Sequence, residues 1–475
     1  MSVDARRVTI GRGWTRLTLC ALTLVAGCVT RRVPEEDRLP LIQDPSRAPA
    51  DSARQPGQSA PPGQPAQVVQ AEIPRDAAPR LRIEGLRDVR VALATAAQGA
   101  LLTATGPWRL FDSHDAVLVR ARPLESWTVE RRGRQIRAQR SGTGATPWSD
   151  AKLTLRPDRD DGFALFAGRR YRGSLRVVAS DSGLVIVNVL PVEEYLRGVV
   201  PLEIGLRVPG EQAAAEAQAI AARSYTFARL AVVEGSVSRN ESFDLLPGVI
   251  DQVYGGVDAE RAFSDQAVVT TAGLVLKYAG HVVSAPYSSS CGGETASPEE
   301  VWRASPEPYL RRVSDRIPGT ADRYYCDIAP RFAWTRAFTG PELDAAVQSY
   351  LRSYVSVPSG GPGRVRAVAV AARTPSGRVG RLTLDTDRGN FELRGNDVRY
   401  VLRSPGSEIL NSTYFKVETE SGRDGSLARL VVHGNGYGHG IGMCQWGAIG
   451  RARAGQSARS ILATYYPGTS VGPAN

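Results

Sequence analysis

Near the end of the chain, Gly436-Tyr-Gly-His-Gly-Ile-Gly-Met-Cys-Gln-Trp-Gly-Ala448 sets an imidazole, a thiol, an amide and an indole among five glycines. A thiol beside an imidazole is a candidate nucleophile, and both groups are metal ligands. An indole and an amide, here Trp446 and Gln445, suit a polar ligand in a concave site. Glycine loses more backbone entropy on folding than any other residue, so this density belongs where the chain needs positive φ or close backbone approach. A ligand site meets that condition, and so does a tight loop around a buried His439 and Trp446. A second candidate lies more than 200 residues earlier, where Gly198-Val-Val-Pro-Leu-Glu-Ile-Gly205 holds Glu203 between Leu202 and Ile204. Apolar neighbours disfavour the carboxylate, raise its pKa and let it keep a proton near neutrality as a general acid. An exposed glutamate at a helix end would have the same local sequence.

Metal chemistry is weakly supplied. The chain has four histidines, His114, His281, His433 and His439. His281, His433 and His439 with Cys291 and Cys444 could ligate an ion only if distant segments converge, since no familiar close spacing occurs. No metal and no other cofactor is therefore expected.

The elements that must position these groups follow from patterning. Arg6, Arg7, Arg12 and Arg16 precede the apolar run from Leu17 to Ala26, which suits a secretory leader and is too short to span a bilayer. It ends in Leu24-Val-Ala-Gly-Cys28, which resembles the lipobox of bacterial lipoproteins. The expected product is an envelope protein anchored in the membrane through lipid on Cys28, facing the periplasm or the exterior. Val29 in place of an aspartate favours an outer membrane where a cell has two. The Pro- and Gln-rich stretch that follows has no hydrophobic period and reads as a disordered tether.

From Leu81 to Val189, short alternating runs such as Val89-Arg-Val-Ala-Leu and Leu175-Arg-Val-Val predict β-strands. Pro191-Val-Glu-Glu-Tyr-Leu-Arg-Gly-Val-Val200 predicts an amphipathic helix that Pro201 stops. An alanine-rich helix runs from about Gly210 to Val233. Strands resume over Gln266 to Tyr278, over Val282 to Ser288 and within residues 363 to 433, and a short helix covers Ser457 to Tyr466. The fold class is α+β: a mixed β-sheet core, a few packed helices and small β-rich additions. The expected divisions are 1–27 leader, 28–80 tether, 81–180 N-terminal β-rich region, 181–310 core with Glu203, 311–362 insert, 363–430 β-rich accessory region and 431–475 glycine loop with the end of the core.

Five cysteines divide by compartment. Cys20 leaves with the leader and Cys28 carries lipid, which leaves Cys291, Cys326 and Cys444 where disulfides can form. Cys291 with Cys326 is the bridge expected, though spacing does not fix connectivity. The formal charge of +11 suits an anionic envelope partner. No Cys/His finger, basic recognition helix or aromatic RNA-binding motif is present, so nucleic acid is excluded as a partner.

Several motifs then resemble one family in its own order. They are Val187-Asn-Val-Leu-Pro-Val-Glu-Glu-Tyr-Leu-Arg-Gly-Val-Val-Pro-Leu-Glu203, Glu216-Ala-Gln-Ala-Ile-Ala-Ala-Arg-Ser-Tyr225, Asp251-Gln-Val-Tyr-Gly-Gly256, Tyr287-Ser-Ser-Ser-Cys-Gly-Gly-Glu-Thr295, Leu410-Asn-Ser-Thr-Tyr-Phe415 and the glycine loop. Over roughly residues 170 to 470 the chain resembles the SpoIID/LytB family, named for stage II sporulation protein D.

The resemblance implies a lytic transglycosylase acting on peptidoglycan glycan strands stripped of peptides, with Glu203 at the catalytic position and 1,6-anhydro ends as product. It implies sugar contacts from Arg223, Tyr225, Tyr254, Ser289, Ser290, His439, Gln445 and Trp446, with packing roles for the alanine-rich helix and the glycine loop left open. Some relatives hold a metal by His and Cys near the segment matching Cys291. Tyr287-Ser-Ser-Ser stands here where that histidine would be sought, so Cys291 reads as a disulfide partner or core thiol. The rival implication is a glycan-binding protein that enhances a cell-wall amidase; an amidase proper would need a metal or an activated thiol.

Overall fold

The computed structural model describes residues 88–150, 152–205, 208–235 and 242–474. The leader, Cys20, Cys28 and the tether lie outside these residues. The fold is α+β.

The alternating runs at the N-terminal end of the described chain form antiparallel strands. Six of them make a sheet in the order Asp88–Ala97, Gly183–Pro191, Ser174–Ser180, Lys152–Pro157, Trp108–Phe111 and Val117–Ala121. A second sheet runs Arg169–Tyr171, Ala164–Phe166, Ala100–Ala104, Trp127–Arg132, Gln135–Arg140 and Gly144–Ala145. Period-two alternation puts Leu175, Val177 and Ala179 inside, where they join Trp108, Leu110, Ile136, Leu153 and Leu155 in one cluster.

Strand Gly183–Pro191 delivers the chain into a second cluster. Through Pro191 it runs directly into helix α1, Val192–Ile204, with Glu193 and Glu194 in its first turn. Pro201 does not stop this helix, which ends at Gly205 with φ 76°. Proline removes one ladder hydrogen bond, yet α1 is packed by neighbouring helices over nearly all its length, and that packing outweighs the local penalty. For the same reason α1 is not amphipathic toward solvent: Glu193, Glu194 and Arg197 are as buried as Tyr195, Leu196, Val199 and Val200.

Helix α2, Gln212–Gly235, matches the alanine-rich expectation. Its fully buried Ala214, Ala217, Ala221 and Ala222 let α1 approach on one side and the helices Gln445–Arg453 and Ala458–Tyr465 on others. The run from Gln266 differs from the reading as a strand. Helix α3 spans Ala262–Thr270, and only Leu274–Tyr278 is extended, pairing with Ser470–Pro473. Val268, Val269 and Thr270 favour strands by propensity, but α3 is held against α1 and α2 and packing overrides that preference.

A third cluster contains Phe338, Leu343, Val347, Val368, Leu382, Leu384, Leu393 and Val432. Two three-stranded sheets build it: Ala333–Thr339 with Leu427–Asn435 and Phe415–Ser421, and Val365–Arg373 with Val379–Thr386 and Gly389–Arg394. The helix Gly340–Tyr350 joins them, opened by a capping box between Thr339 and Glu342. Residues expected to fall into a separate insert and accessory region thus share one core. The chain enters and leaves this unit through paired strands, with Ala333 opposite Asn435 and Thr339 opposite Arg429.

Candidate functional site

Glu203 sits in the last turn of α1 and is partly accessible. Its Oε1 accepts the Val253 backbone N–H at 2.8 Å, and the Gln445 side chain hydrogen-bonds the same carboxyl. Burial raises its pKa from 4.5 to about 7, against the pull of those two bonds in the other direction. A carboxyl poised there both gives and takes a proton near neutrality.

Three segments wall this carboxyl, and Gln252 ties them together. Gln252 Oε1 accepts from Tyr195 at 3.2 Å and from Thr226 at 2.9 Å, while its Nε2 donates to Tyr287 Oη at 2.9 Å and to the Ala222 carbonyl at 3.2 Å. Desolvation first, and the nearby Glu203 charge second, push the Tyr195 and Tyr287 phenols well above their ordinary value. Tyr225 donates to Asp251 Oδ1 at 3.2 Å. Asp251 is otherwise engaged by Arg229 at 3.2 Å and by the Leu246 N–H at 2.9 Å. That carboxylate is held by fixed partners, whereas Glu203 is not ion-paired among the described residues.

The glycine loop closes the assembly from the other end of the chain. It runs beside residues 286–291: Ser290 and Tyr437 exchange backbone bonds at 3.0 and 2.8 Å, and the Trp446 N–H meets the Ser289 carbonyl at 3.0 Å. Two glycines show why the composition is needed. Gly440 and Gly442 have φ of 78° and 68°, and a Cβ at either would strike the Arg378 guanidinium or the Pro286 carbonyl.

His439 is spent inside this loop. Its Nδ1 accepts the Ile441 N–H at 3.0 Å, so Nε2 carries the proton and bonds the Tyr287 backbone. Burial, with Arg399 and Arg378 nearby, drops its pKa to about 3. A neutral imidazole with both nitrogens engaged is neither an acid–base group nor a metal ligand; its ring packs 4.8 Å from that of Trp302.

Of the residues expected to touch sugar, Tyr225, Ser289, Gln445 and Trp446 lie on the segments that meet around Glu203, with Gln445 buried. Three others are buried. Arg223 is fully buried and grips Glu193 with two bonds of 2.7 Å, with a third to the Leu274 carbonyl at 3.0 Å. Tyr254 is buried against Tyr195 and donates to Asn188 at 2.7 Å. Ser290 is buried as well. Gln252, Val253, Tyr195 and Tyr287 join the site without being among the residues expected there, although all four stand inside the quoted motifs. In the run Asp251-Gln-Val-Tyr both Gln252 and Tyr254 are buried, and Val253 meets the carboxyl through its backbone N–H, a contact that no side-chain pattern displays.

The histidines do not gather. His114, His281 and His433 are exposed. Instead Cys291 and Cys444 meet Cys326 and Asp315, with one donor atom from each within 4.8 Å of all the others. The cysteines are free thiols, and Cys291 and Cys326 hold their sulfurs 3.5 Å apart, beyond the roughly 2.05 Å of a disulfide. A separate cavity of about 500 Å³ is lined by Glu300, Arg303, Arg312, Arg381 and Arg394. It includes none of the residues around Glu203, and its arginines are paired with Asp397, Glu294 and Glu392.

Comparison with known proteins follows the same outline. Residues 180–278 match the family model SpoIID, described as stage II sporulation protein, and residues 322–442 match a model described as a domain of unknown function, DUF8618. The amidase enhancer of Bacillus subtilis (strain 168) is 31% identical over 305 residues, covering 58% of this chain and 40% of that protein. The stage II sporulation protein D of Bacillus amyloliquefaciens is 28% identical over 301 residues, covering 61% of this chain and 76% of the relative. An uncharacterised protein of Brachyspira hyodysenteriae is 29% identical over 314 residues, covering 66% and 75%.

Proposed function

The chain belongs to the SpoIID/LytB family, and from that premise we propose that it is a lytic transglycosylase of peptidoglycan glycan strands. One observation carries the reading: a single carboxyl, Glu203, held by a backbone N–H and an amide, with its pKa raised to about 7. Protonated Glu203 gives its proton to the oxygen linking N-acetylmuramic acid to N-acetylglucosamine, and that glycosidic bond breaks. The carboxylate so formed takes the proton of the muramyl C6 hydroxyl as its oxygen bonds to C1. The products are a free N-acetylglucosamine end and a 1,6-anhydro ring, with Glu203 protonated again.

No water is activated, so the second carboxylate of a glycoside hydrolase is unnecessary. Asp251, the obvious alternative, is engaged by Tyr225, Arg229 and the Leu246 N–H. Tyr225, Ser289 and Trp446 are the groups we assign to the sugar, and Gln445 to positioning of the carboxyl.

The workplace we propose is the cell envelope, with Cys28 as the lipid attachment. No helix among the described residues is long and apolar enough to cross a membrane. A second reading draws on the relative named amidase enhancer: the chain binds glycan and promotes a cell-wall amidase without cutting the strand itself.

Incubating the purified protein with peptide-free glycan strands and resolving the products by mass decides between them. Anhydro-ended fragments from the wild type and none from Glu203→Gln support the transglycosylase. Strands bound but left intact by the wild type would sink it.

A further inference from the structure

Three thiols and a carboxylate meet in the helical core that the proposed chemistry does not use. Cys291, Asp315, Cys326 and Cys444 are each no more than 1% exposed. Cys291 Sγ lies 3.5 Å from Cys326 Sγ and 3.8 Å from Asp315 Oδ2. A tetrahedral ion with bonds of about 2.3 Å sets its ligands about 3.8 Å apart; these two separations are close to that length, and every other pair of donor atoms lies within 4.8 Å.

The surroundings suit anionic donors. Cys444 Sγ accepts backbone N–H groups from Cys291 at 3.1 Å and Gly447 at 3.3 Å. Asp315 Oδ1 is held from behind by Tyr465 at 2.7 Å and by Arg451 at 3.0 and 3.2 Å, while Oδ2 faces the sulfur of Cys291. Ligating carboxylates are oriented in this way at metal sites. A second buried guanidinium, Arg378, donates to the Cys291 and Glu294 carbonyls at 2.8 Å and leaves Nε without a partner. The carboxylates near these two guanidinium ions are Asp315, paired with Arg451, and Glu300, beside Arg378. A divalent ion bound by three thiolates and Asp315 carries two negative charges, and the guanidinium groups of Arg378 and Arg451 beside the cage offset that charge.

We propose that Cys291, Asp315, Cys326 and Cys444 form a structural site for a divalent, thiolate-seeking cation of the zinc class. Three sulfurs within 4.8 Å of one another select zinc over magnesium or calcium, and four protein ligands mark a structural centre. The ion fastens the glycine loop to the segments carrying Cys291, Asp315 and Cys326. It thereby fixes Gln445, the next residue after Cys444, against Glu203.

The test reads metal, not turnover. Zinc content of the purified full chain is measured by plasma mass spectrometry, and Co²⁺ is exchanged for Zn²⁺ to record the spectrum. The site predicts one zinc per chain, a thiolate-to-cobalt charge-transfer band with tetrahedral visible bands, and loss of both in Cys326→Ser. Tyr465→Phe keeps every ligand and is expected to weaken zinc binding about 10- to 100-fold. After denaturation in chelator, alkylation mapped by peptide mass should find Cys291, Cys326 and Cys444 all reactive.

A wild type without zinc or cobalt band overturns the proposal, as does a cobalt band unchanged in Cys326→Ser. So does a peptide in which Cys291 and Cys326 are joined. If Cys326→Ser fails to fold, the wild-type spectrum and Tyr465→Phe still decide.

Discussion

Glu203→Gln should make the protein more stable while disabling it, and the gain should depend on pH. Glutamine keeps the side-chain length and an oxygen for the Val253 N–H, and it removes only the ionisation. The wild-type carboxyl moves from 4.5 to about 7 on folding. At about 1.4 kcal/mol for each tenfold change in acidity, the ionised form costs the fold about 3 kcal/mol. Because the folded pKa lies above the unfolded one, the native state binds the proton more tightly. The cost is therefore absent below the unfolded value and fully present once pH has risen past the folded one. Urea denaturation of both proteins, followed by circular dichroism at about pH 5 and about pH 8, should show the advantage of the variant growing by about 2–3 kcal/mol. Release of anhydro-ended fragments should fall by about 10²–10⁴. An advantage that stays flat between the two pH values, or a variant less stable at the higher one, would refute the idea that burial poises this carboxyl.

Other perturbations separate site from scaffold. Gln445→Leu removes a bond that lowers the Glu203 pKa, so the descending limb of the pH–rate profile should move to higher pH. An unmoved limb would show that the amide does not bear on this proton. Arg223→Met strands the buried Glu193 with the Gly273 N–H at 3.1 Å as its remaining partner and should destabilise the fold by about 3–5 kcal/mol. Glycan binding by the protein that remains folded should be unaltered, and a selective loss of binding would return Arg223 to the groove. His439→Ala unpairs the Ile441 N–H and the Tyr287 carbonyl at about 1–3 kcal/mol each. That loss should appear in denaturation curves, while the acid limb of the rate profile above about pH 5 should be unchanged, because this imidazole titrates near 3.

What the sequence displays is what neighbouring residues determine. Alternation at Leu175, Val177 and Ala179 locates a strand, and the crowding of alanines from Ala213 to Ala222 locates α2 and its close neighbours. The desolvated setting of Glu203 was legible because its apolar neighbours are contiguous with it. Pro201 misled because a local penalty was weighed without the packing around α1. Arg223 misled for a related reason: its partner Glu193 is 30 residues away, and no periodicity links an arginine on one helix to a glutamate on another. The thiol cage was the least visible. Relative to Cys291 its members lie 24, 35 and 153 residues along the chain, and the histidines that drew attention to ligation are either exposed or spent within the loop.

The strand pair that opens and closes the third cluster has a consequence for how such a chain could have been assembled. Ala333 and Asn435 are register partners, so everything between them departs from and returns to nearly one point in space. A short turn could bridge that point, which makes the segment a natural unit of gain or loss during divergence. It is not a passive passenger, however. Ser376 donates to Glu300 at 2.6 Å, and Arg378 reaches the Cys291 and Glu294 carbonyls. A lineage that shed the segment would keep its backbone continuous yet leave Glu300 with the Ser297 N–H but without its Ser376 bonds, and the Cys291 and Glu294 carbonyls without Arg378, so excision and repair of that surface would have to evolve together.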